Sequence, residues 1–189
     1  MEWFTAAERF TVALASADPT PGGGAAAAHA GAMGCALALM AVRTTLKREA
    51  TPAPVRERLE YSVNRLASLK AQLNTYVQKD AEAYSAYLTA KKLPKDNPAR
   101  QQAMQQALVF AASVPADTAT TAMQVLKEID HIRPDIAAII LSDIACAKHL
   151  LRACIRCAVE NIRANLVYIQ NEDRKNTLEK QIAVFLKSC

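Results

Sequence analysis

The chain has 189 residues, of which 51% are hydrophobic and 5% aromatic, and it carries a formal net charge of +5. This length suits one domain with a substantial core, and so modest a charge lacks the concentrated patch of a dedicated nucleic-acid-binding protein. Five cysteines without a visible signal peptide predict free thiols in a reducing compartment, and hence a cytoplasmic protein.

The hydrophobic pattern predicts about six helices and no strand, because no period-2 alternation competes with the helical periodicity. The first helix is a short amphipathic segment over residues 2–16. Prolines mark most of the later helix starts, since proline is tolerated in a first helical turn. The remaining helices are expected over residues 24–47, 52–92, 97–131 with a kink at Pro115, 134–170 and 171–187. We therefore expect an all-α single domain over residues 1–189.

The apolar segment from Gly22 to Val42 is long enough to span a membrane and has His29 as its one ionisable residue. Alanine and glycine dominate it, however, and they contribute little to membrane insertion. We therefore interpret the segment as a buried central helix and expect no membrane partner. Its small residues lie on several faces, which so small a domain cannot cover completely, so we expect a homodimer.

A proline- and glycine-rich turn, PTPGGG at residues 19–24, leads directly into this helix. The prolines fix φ and keep the preceding residues out of the helical region. The glycines let bare N–H groups approach a ligand or a packed neighbour closely. The candidate ligand-binding residues of the turn are Pro21, Gly22, Gly23 and Gly24.

Asp80 lies on the apolar stripe of the long third helix, among Leu73, Tyr76 and Tyr84. A carboxylate in such surroundings must find a partner, face a cavity or take up a proton, because burial disfavours its charge. Asp80 is therefore a candidate general acid or base. The alternative is a structural carboxylate bonded to a tyrosine hydroxyl or to a helix N-terminus.

The predicted fifth helix carries Asp143, Asn161 and Asn165 on one face. Acid and amide groups with apolar neighbours are typical of a ligand-pocket wall, and asparagine offers both donors and acceptors. Asp143 is a candidate second catalytic carboxylate, and the two asparagines are candidate substrate-binding residues. Cys154 and Cys157 lie within this helix without a second pair of ligands, so we expect no metal site.

These motifs resemble the formimidoyltetrahydrofolate cyclodeaminase and methenyltetrahydrofolate cyclohydrolase family. The matches follow the family order and spacing over roughly residues 10–173: the PTPGGG turn with its alanine-rich helix, DAEAY at residues 80–84, LPK at 93–95, Ser-Asp at 142–143, and Asn161 with Asn165. The resemblance implies an enzyme that opens or forms a one-carbon bridge on tetrahydrofolate by carboxylate acid–base chemistry. It also implies a folate substrate and no metal or organic cofactor.

The chain departs from this family at two places. Residues 43–48 read RTTLKR where the family has Asn-Leu-Thr-x-Gly-Lys, and residues 133–135 read RPD in place of a Gly-Asn turn. Arg43 and Lys47 lie on nearly the same helical face, so they are predicted either to hold the anionic glutamate tail of a folate or to form structural ion pairs. Two other functions stay open: a non-catalytic helical dimer that binds a pterin or a partner protein, and an enzyme acting on another reduced pterin carrier.

Overall fold

A computed structural model describes residues 2–189, and within them it contains six α-helices and no strand. The helices are α1 (Glu2–Leu14), α2 (Gly23–Leu46), α3 (Ala53–Lys92), α4 (Arg100–Ile132), α5 (Leu141–Leu166) and α6 (Glu172–Lys187). The predicted all-α fold is confirmed. The predicted boundaries of the last helix are also confirmed, because Asn171 caps it by accepting a hydrogen bond of 2.9 Å from the Arg174 N–H.

Helices α2 to α5 form an antiparallel four-helix bundle in which each helix packs against the next and α5 returns to α2. The α3 residues Leu59, Leu66 and Leu73 recur at seven-residue intervals and are completely buried in the bundle core. Helix α6 packs on α5 and α4. Helix α1 has no buried residue, and it meets α2 where the Phe10 ring lies 4.6 Å from the His29 ring.

The small residues of α2 let it lie close against α5. A Cβ atom on Gly31 would lie 2.8 Å from the Cys154 Sγ, and one on Gly34 would lie 2.9 Å from the Ala147 carbonyl oxygen. By length and composition α2 resembles a membrane span, but 61% of the relevant window is buried inside the bundle. A core helix accounts for both its composition and its position.

The prediction of one helix over residues 134–170 is wrong at both ends. Short 3-10 turns occupy Arg133–Asp135 and Ala138–Ile140, and the helix itself runs from Leu141 to Leu166. Between the turns, Ile136 has an extended backbone and a buried side chain, and the Ala137 N–H donates to the Thr45 Oγ1 at 3.1 Å. These tertiary contacts outweigh the local helical preference.

Candidate functional site

A pocket of about 380 Å³ opens at the end of the bundle where α2 begins. All four bundle helices contribute to its wall. The lining includes Gly22, Gly23 and Gly24 before and within α2, Asp80, Tyr84 and Tyr87 of α3, Leu108 and Ala111 of α4, Asn161 and Asn165 of α5, and Tyr168 of the turn after α5. This size is adequate for a small organic ligand.

Asp80 caps α2 from a neighbouring helix. Its Oδ2 accepts a hydrogen bond of 3.0 Å from the Ala25 N–H, in the first turn of a helix whose own N-cap, Gly22, has no side chain to do this. Burial raises the pKa of Asp80, although the Ala25 hydrogen bond opposes this shift and lowers the pKa. The carboxyl group therefore has a structural role and is also poised to exchange a proton with a ligand.

Gly24 leaves the space that the Asp80 carboxyl group occupies. A Cβ atom at Gly24 would lie 2.6 Å from the Asp80 Cγ and closer still to its Oδ1. The first intrahelical hydrogen bond of α2 is the one that the Ala26 N–H donates to the Gly22 carbonyl, so the N–H groups of Gly23 and Gly24 have no acceptor within the helix. The pocket therefore combines the partial positive charge of a helix N-terminus with one carboxyl group.

The amide nitrogens of Asn161 and Asn165 donate to backbone carbonyls, which fixes the orientation of both side chains. The Asn161 Nδ2 donates to the Cys157 carbonyl at 2.8 Å, and the Asn165 Nδ2 donates to the carbonyls of Asn161 at 2.9 Å and Ala111 at 3.4 Å. Carbonyl oxygens only accept, so the amide orientation follows from the partners. Both Oδ1 atoms are left as acceptors for ligand N–H groups.

Pro115 explains why the Ala111 carbonyl is free to accept the hydrogen bond from the Asn165 Nδ2. Helix α4 continues through Pro115, but proline has no N–H to donate to the carbonyl four residues earlier. That carbonyl belongs to Ala111, and it accepts from Asn165 instead. The proline thus contributes to the wall of the pocket rather than ending the helix.

Three tyrosines were not among the predicted site residues. Tyr84 and Tyr87 lie one and two turns after Asp80 on the same apolar stripe, so their spacing was a usable signal. Tyr168 lies in the turn between α5 and α6, where no periodic pattern marks it. Together they offer aromatic faces for a flat ring.

The structure separates the predicted site residues into two groups. Gly22 to Gly24, Asp80, Asn161 and Asn165 meet at the pocket, and Pro21 lies in the segment before it without lining it. Arg43 and Lys47 are near the other end of α2, about 30 Å from Gly24 at about 1.5 Å per residue. Asp143, in the first turn of α5, is similarly about 27 Å from Asn161. Within this chain, these three residues do not join the pocket.

Arg43 and Lys47 instead line a depression between α2 and α3 with Lys70. Neither forms a salt bridge with any residue in the described range 2–189, so the predicted structural ion pair is not formed within the chain. In the same range, no three His, Cys, Asp or Glu side chains converge as metal ligands would.

Known proteins resemble this chain over nearly its whole length. The model of the formiminotransferase-cyclodeaminase family matches residues 6–184. Identity to the methenyltetrahydrofolate cyclohydrolase of Methylorubrum extorquens is 30% over 184 residues, covering 93% of this chain and 88% of that protein. Identity to the formimidoyltransferase-cyclodeaminase of Sus scrofa is 30% over 188 residues, covering 95% of this chain but 34% of that protein.

A solved structure agrees with these relatives. The crystal structure of formiminotetrahydrofolate cyclodeaminase from Thermotoga maritima superposes with a TM-score of 0.86 at 27% identity, and the match covers 96% of this chain and 88% of that chain. The likeness therefore extends over the whole helical bundle, including the four helices that build the pocket.

Proposed function

The chain belongs to the formiminotransferase-cyclodeaminase family, and we propose that it is a folate one-carbon enzyme of the cyclohydrolase or cyclodeaminase type. Such an enzyme makes or breaks a C–N bond at the one-carbon group carried by tetrahydrofolate. The observation that carries this proposal is Asp80, a carboxyl group with a raised pKa that lines a pocket of suitable size. The relatives named for these two activities support the same substrate class.

In the cyclohydrolase reaction, water adds to the electrophilic methenyl carbon between two nitrogens of the folate. The Asp80 carboxylate takes one proton from the attacking water as the new C–O bond forms. The protonated Asp80 then returns this proton to one of the nitrogens as its bond to carbon breaks, and the second water proton leaves to solvent. A carboxyl group whose pKa is raised by burial suits both steps, since it both accepts and donates readily.

In the cyclodeaminase reaction, one folate nitrogen attacks the formimidoyl carbon and ammonia departs. The attacking nitrogen loses one proton and the departing nitrogen, which starts as =NH, gains two; Asp80 carries one proton between them and solvent supplies the second. The chain covers about a third of the Sus scrofa relative that has two activities in its name. The cyclohydrolase relative and the solved cyclodeaminase structure are each covered over 88% of their length, so coverage does not choose between the two reactions.

The pocket wall supports recognition of a pterin-like ring. The free Oδ1 atoms of Asn161 and Asn165 are acceptors for ring N–H groups, and the tyrosines offer faces for stacking. The N–H groups of Gly23 and Gly24 are donors for the oxygen that gains negative charge during water addition. These roles are carried by side chains and backbone alone, so we propose that no metal or organic cofactor takes part.

The decisive experiment follows the absorbance of methenyltetrahydrofolate and, separately, ammonia release from formimidoyltetrahydrofolate with the purified protein. We expect turnover of one substrate, and a loss of about 100-fold or more in Asp80→Asn. Glu82→Gln is the matched control, since Glu82 is exposed and bonded to Gln78 on the same helix. Tight folate binding without turnover would favour the non-catalytic alternative, and no interaction with either folate would reject the proposal.

We also propose that the protein is a homodimer. The other helices leave one outward-facing stripe of α2 partly or fully exposed. The stripe consists of Ala26, His29, Ala30, Met33, Ala36, Leu37, Met40, Arg43 and Lys47. Met33 and Met40 are 43% and 37% exposed, and with the neighbouring alanines they make this face of α2 apolar. A second copy of the chain would bury this apolar surface. Light scattering at micromolar concentration measures the mass directly.

A further inference from the structure

The pocket lacks a group to hold the charged part of its proposed ligand. Folates carry a glutamate tail with free carboxylates, yet none of the described pocket-lining residues is lysine, arginine or histidine. The one titrating acid there, Asp80, would repel a carboxylate when ionised. If the proposed function holds, as this inference requires, the site of a single subunit is incomplete.

The missing cations lie at the far end of the exposed α2 stripe. Arg43 and Lys47 extend from the stripe and form no salt bridge within residues 2–189. No acidic residue belongs to the stripe, but near its pocket end lie Asp80 in the pocket and the exposed Asp18, with Arg9 of α1 close to Asp18. The stripe is thus apolar in its middle and basic at one end, and two acidic residues lie beyond the other end.

Such a surface is complementary to itself under a two-fold axis. The most exposed apolar residues, Met33, Ala36 and Met40, centre the stripe between residues 36 and 37. An axis at that point aligns two α2 helices in antiparallel directions, so Met33 faces Met40 of the partner subunit. The same register places Lys47 of the partner subunit beside Ala26, about one helical turn from Gly22 and Gly23, which line the pocket.

We propose that the chain acts as a two-fold dimer in which Arg43 and Lys47 of the partner subunit reach the pocket and hold the carboxylates of the substrate. A lysine side chain extends about 6 Å from its backbone, and an arginine binds carboxylates through a bidentate fork. The residues that lie about 30 Å from the pocket in their own subunit therefore serve the pocket of the other one. Each subunit thus supplies these two basic side chains to the pocket of its neighbour.

Helix α1 adds to the same surface. Its Phe10 lies against His29 at the pocket end of the stripe, and its Trp3, Phe4 and Val12 are 68%, 58% and 65% exposed. In the antiparallel arrangement this end of one subunit meets the basic end of the other.

Kinetics measure the role of the cations. We expect the double variant Arg43→Ala/Lys47→Ala to raise KM about 10-fold or more for a polyglutamylated substrate, with a smaller rise for the monoglutamate and little change in kcat. Added salt should reproduce part of this effect in the wild type, because it screens the charges. Arg133→Ala is the matched control, since Arg133 is an exposed cation outside the stripe.

A mixing experiment tests whether the cations act across the dimer. Asp80→Asn is co-expressed with Arg43→Ala/Lys47→Ala, and activity is assayed at a polyglutamate concentration below the wild-type KM. A mixed dimer then contains one site with an intact Asp80 and intact partner cations. Random pairing should restore about a quarter of the wild-type sites, well above the mean of the two separate variants.

A cross-link tests the register without relying on activity. In a background of Cys146→Ser, Cys157→Ser and Cys189→Ser, Ala36→Cys should form a disulfide dimer when copper phenanthroline removes two electrons and two protons from the facing thiols. Tyr61→Cys, at a position on α3 that is also exposed, should stay monomeric on denaturing gels.

The outcomes separate this inference from the proposed function. A monomer in solution, or no cross-link at position 36, overturns the dimer arrangement. If the wild type is active but the co-expressed variants recover no activity, the role of the partner's cations is overturned and the dimer arrangement is not. A wild type that neither binds nor converts either folate overturns the proposed function and the cation role together, while the cross-link still reports the register.

Discussion

Replacing Gly24 with alanine should uncouple catalysis from folding. The new Cβ would lie 2.6 Å from the Asp80 Cγ, whereas carbon atoms in ordinary contact are about 3.5 Å apart or more. The carboxyl group must therefore move by about 1 Å, which also breaks the 3.0 Å bond from the Ala25 N–H. A misplacement of about 1 Å lowers turnover by about 100-fold, equivalent to about 2.7 kcal/mol in the activation barrier.

The fold should tolerate this change. The atoms that must move belong to the end of one side chain, and alanine is the better helix former by about 0.8–1.0 kcal/mol. Loss of the hydrogen bond from the Ala25 N–H costs about 0.5–2 kcal/mol and offsets this gain, so we expect the free energy of unfolding of Gly24→Ala to stay within about 1 kcal/mol of the wild type. Gly23→Ala is the matched control, because its Cβ would find its nearest neighbour, Asn161 Nδ2, at 3.4 Å.

The assay compares kcat/KM and urea unfolding for the wild type and the two alanine variants. We expect Gly24→Ala to lose about 100-fold in kcat/KM and Gly23→Ala to stay within a few-fold of the wild type. In an Asp80→Asn background, Gly24→Ala should have little further effect, since the group it displaces is already lost. Equal losses in both alanine variants, or full activity in Gly24→Ala, would refute the role given to the Asp80 position.

Three further predictions follow from burial and packing. Burial raises the pKa of Asp80 in the folded protein, so the contribution of this carboxyl group to stability is present at low pH and is lost as pH rises through that pKa. The melting temperature of Asp80→Asn should therefore exceed that of the wild type at pH 8, and the difference should shrink towards pH 4. The opposite order in thermal scans would count against this account. Gly34→Ala should destabilise the protein by about 1–3 kcal/mol in urea unfolding, since its Cβ meets the backbone oxygen of Ala147 at 2.9 Å, and unchanged stability would contradict the close packing of α2 on α5. Burial raises the pKa of the Cys35 and Cys154 thiols to about 12, so in the native protein at pH 8 a maleimide should label exposed Cys146 and spare both, as mass spectrometry of peptides would show.

The sequence predicted angular positions well, because helical periodicity is a local property. It placed Asp80 on an apolar stripe, and the structure puts that carboxyl group against the first turn of α2. It also placed Asp143 and Asn161 on one face of α5, and their directions around the helix axis do agree. Their separation along the axis of about 27 Å keeps them apart, so a shared face did not mean a shared site.

The remaining parts of the pocket depend on tertiary packing that no local pattern records. Tyr168 reaches the wall from a turn, and Ala111 matters through a carbonyl that Pro115 releases. The short turns over residues 133–140 likewise follow from the contact between Ala137 and Thr45. The roles of Asp80 and the two asparagines stay predictions until the variants are measured.

All four helices of the bundle contribute to the wall of the pocket, so no smaller folded piece of the chain can form it. Ligand binding is then linked to global unfolding, and a ligand at 100 times its Kd adds about 2.7 kcal/mol to the free energy of unfolding. The lifetime of the protein against proteolysis should therefore rise and fall with the supply of its substrate. An abundant folate would preserve the enzyme that consumes it, and a depleted folate would leave that enzyme easier to degrade.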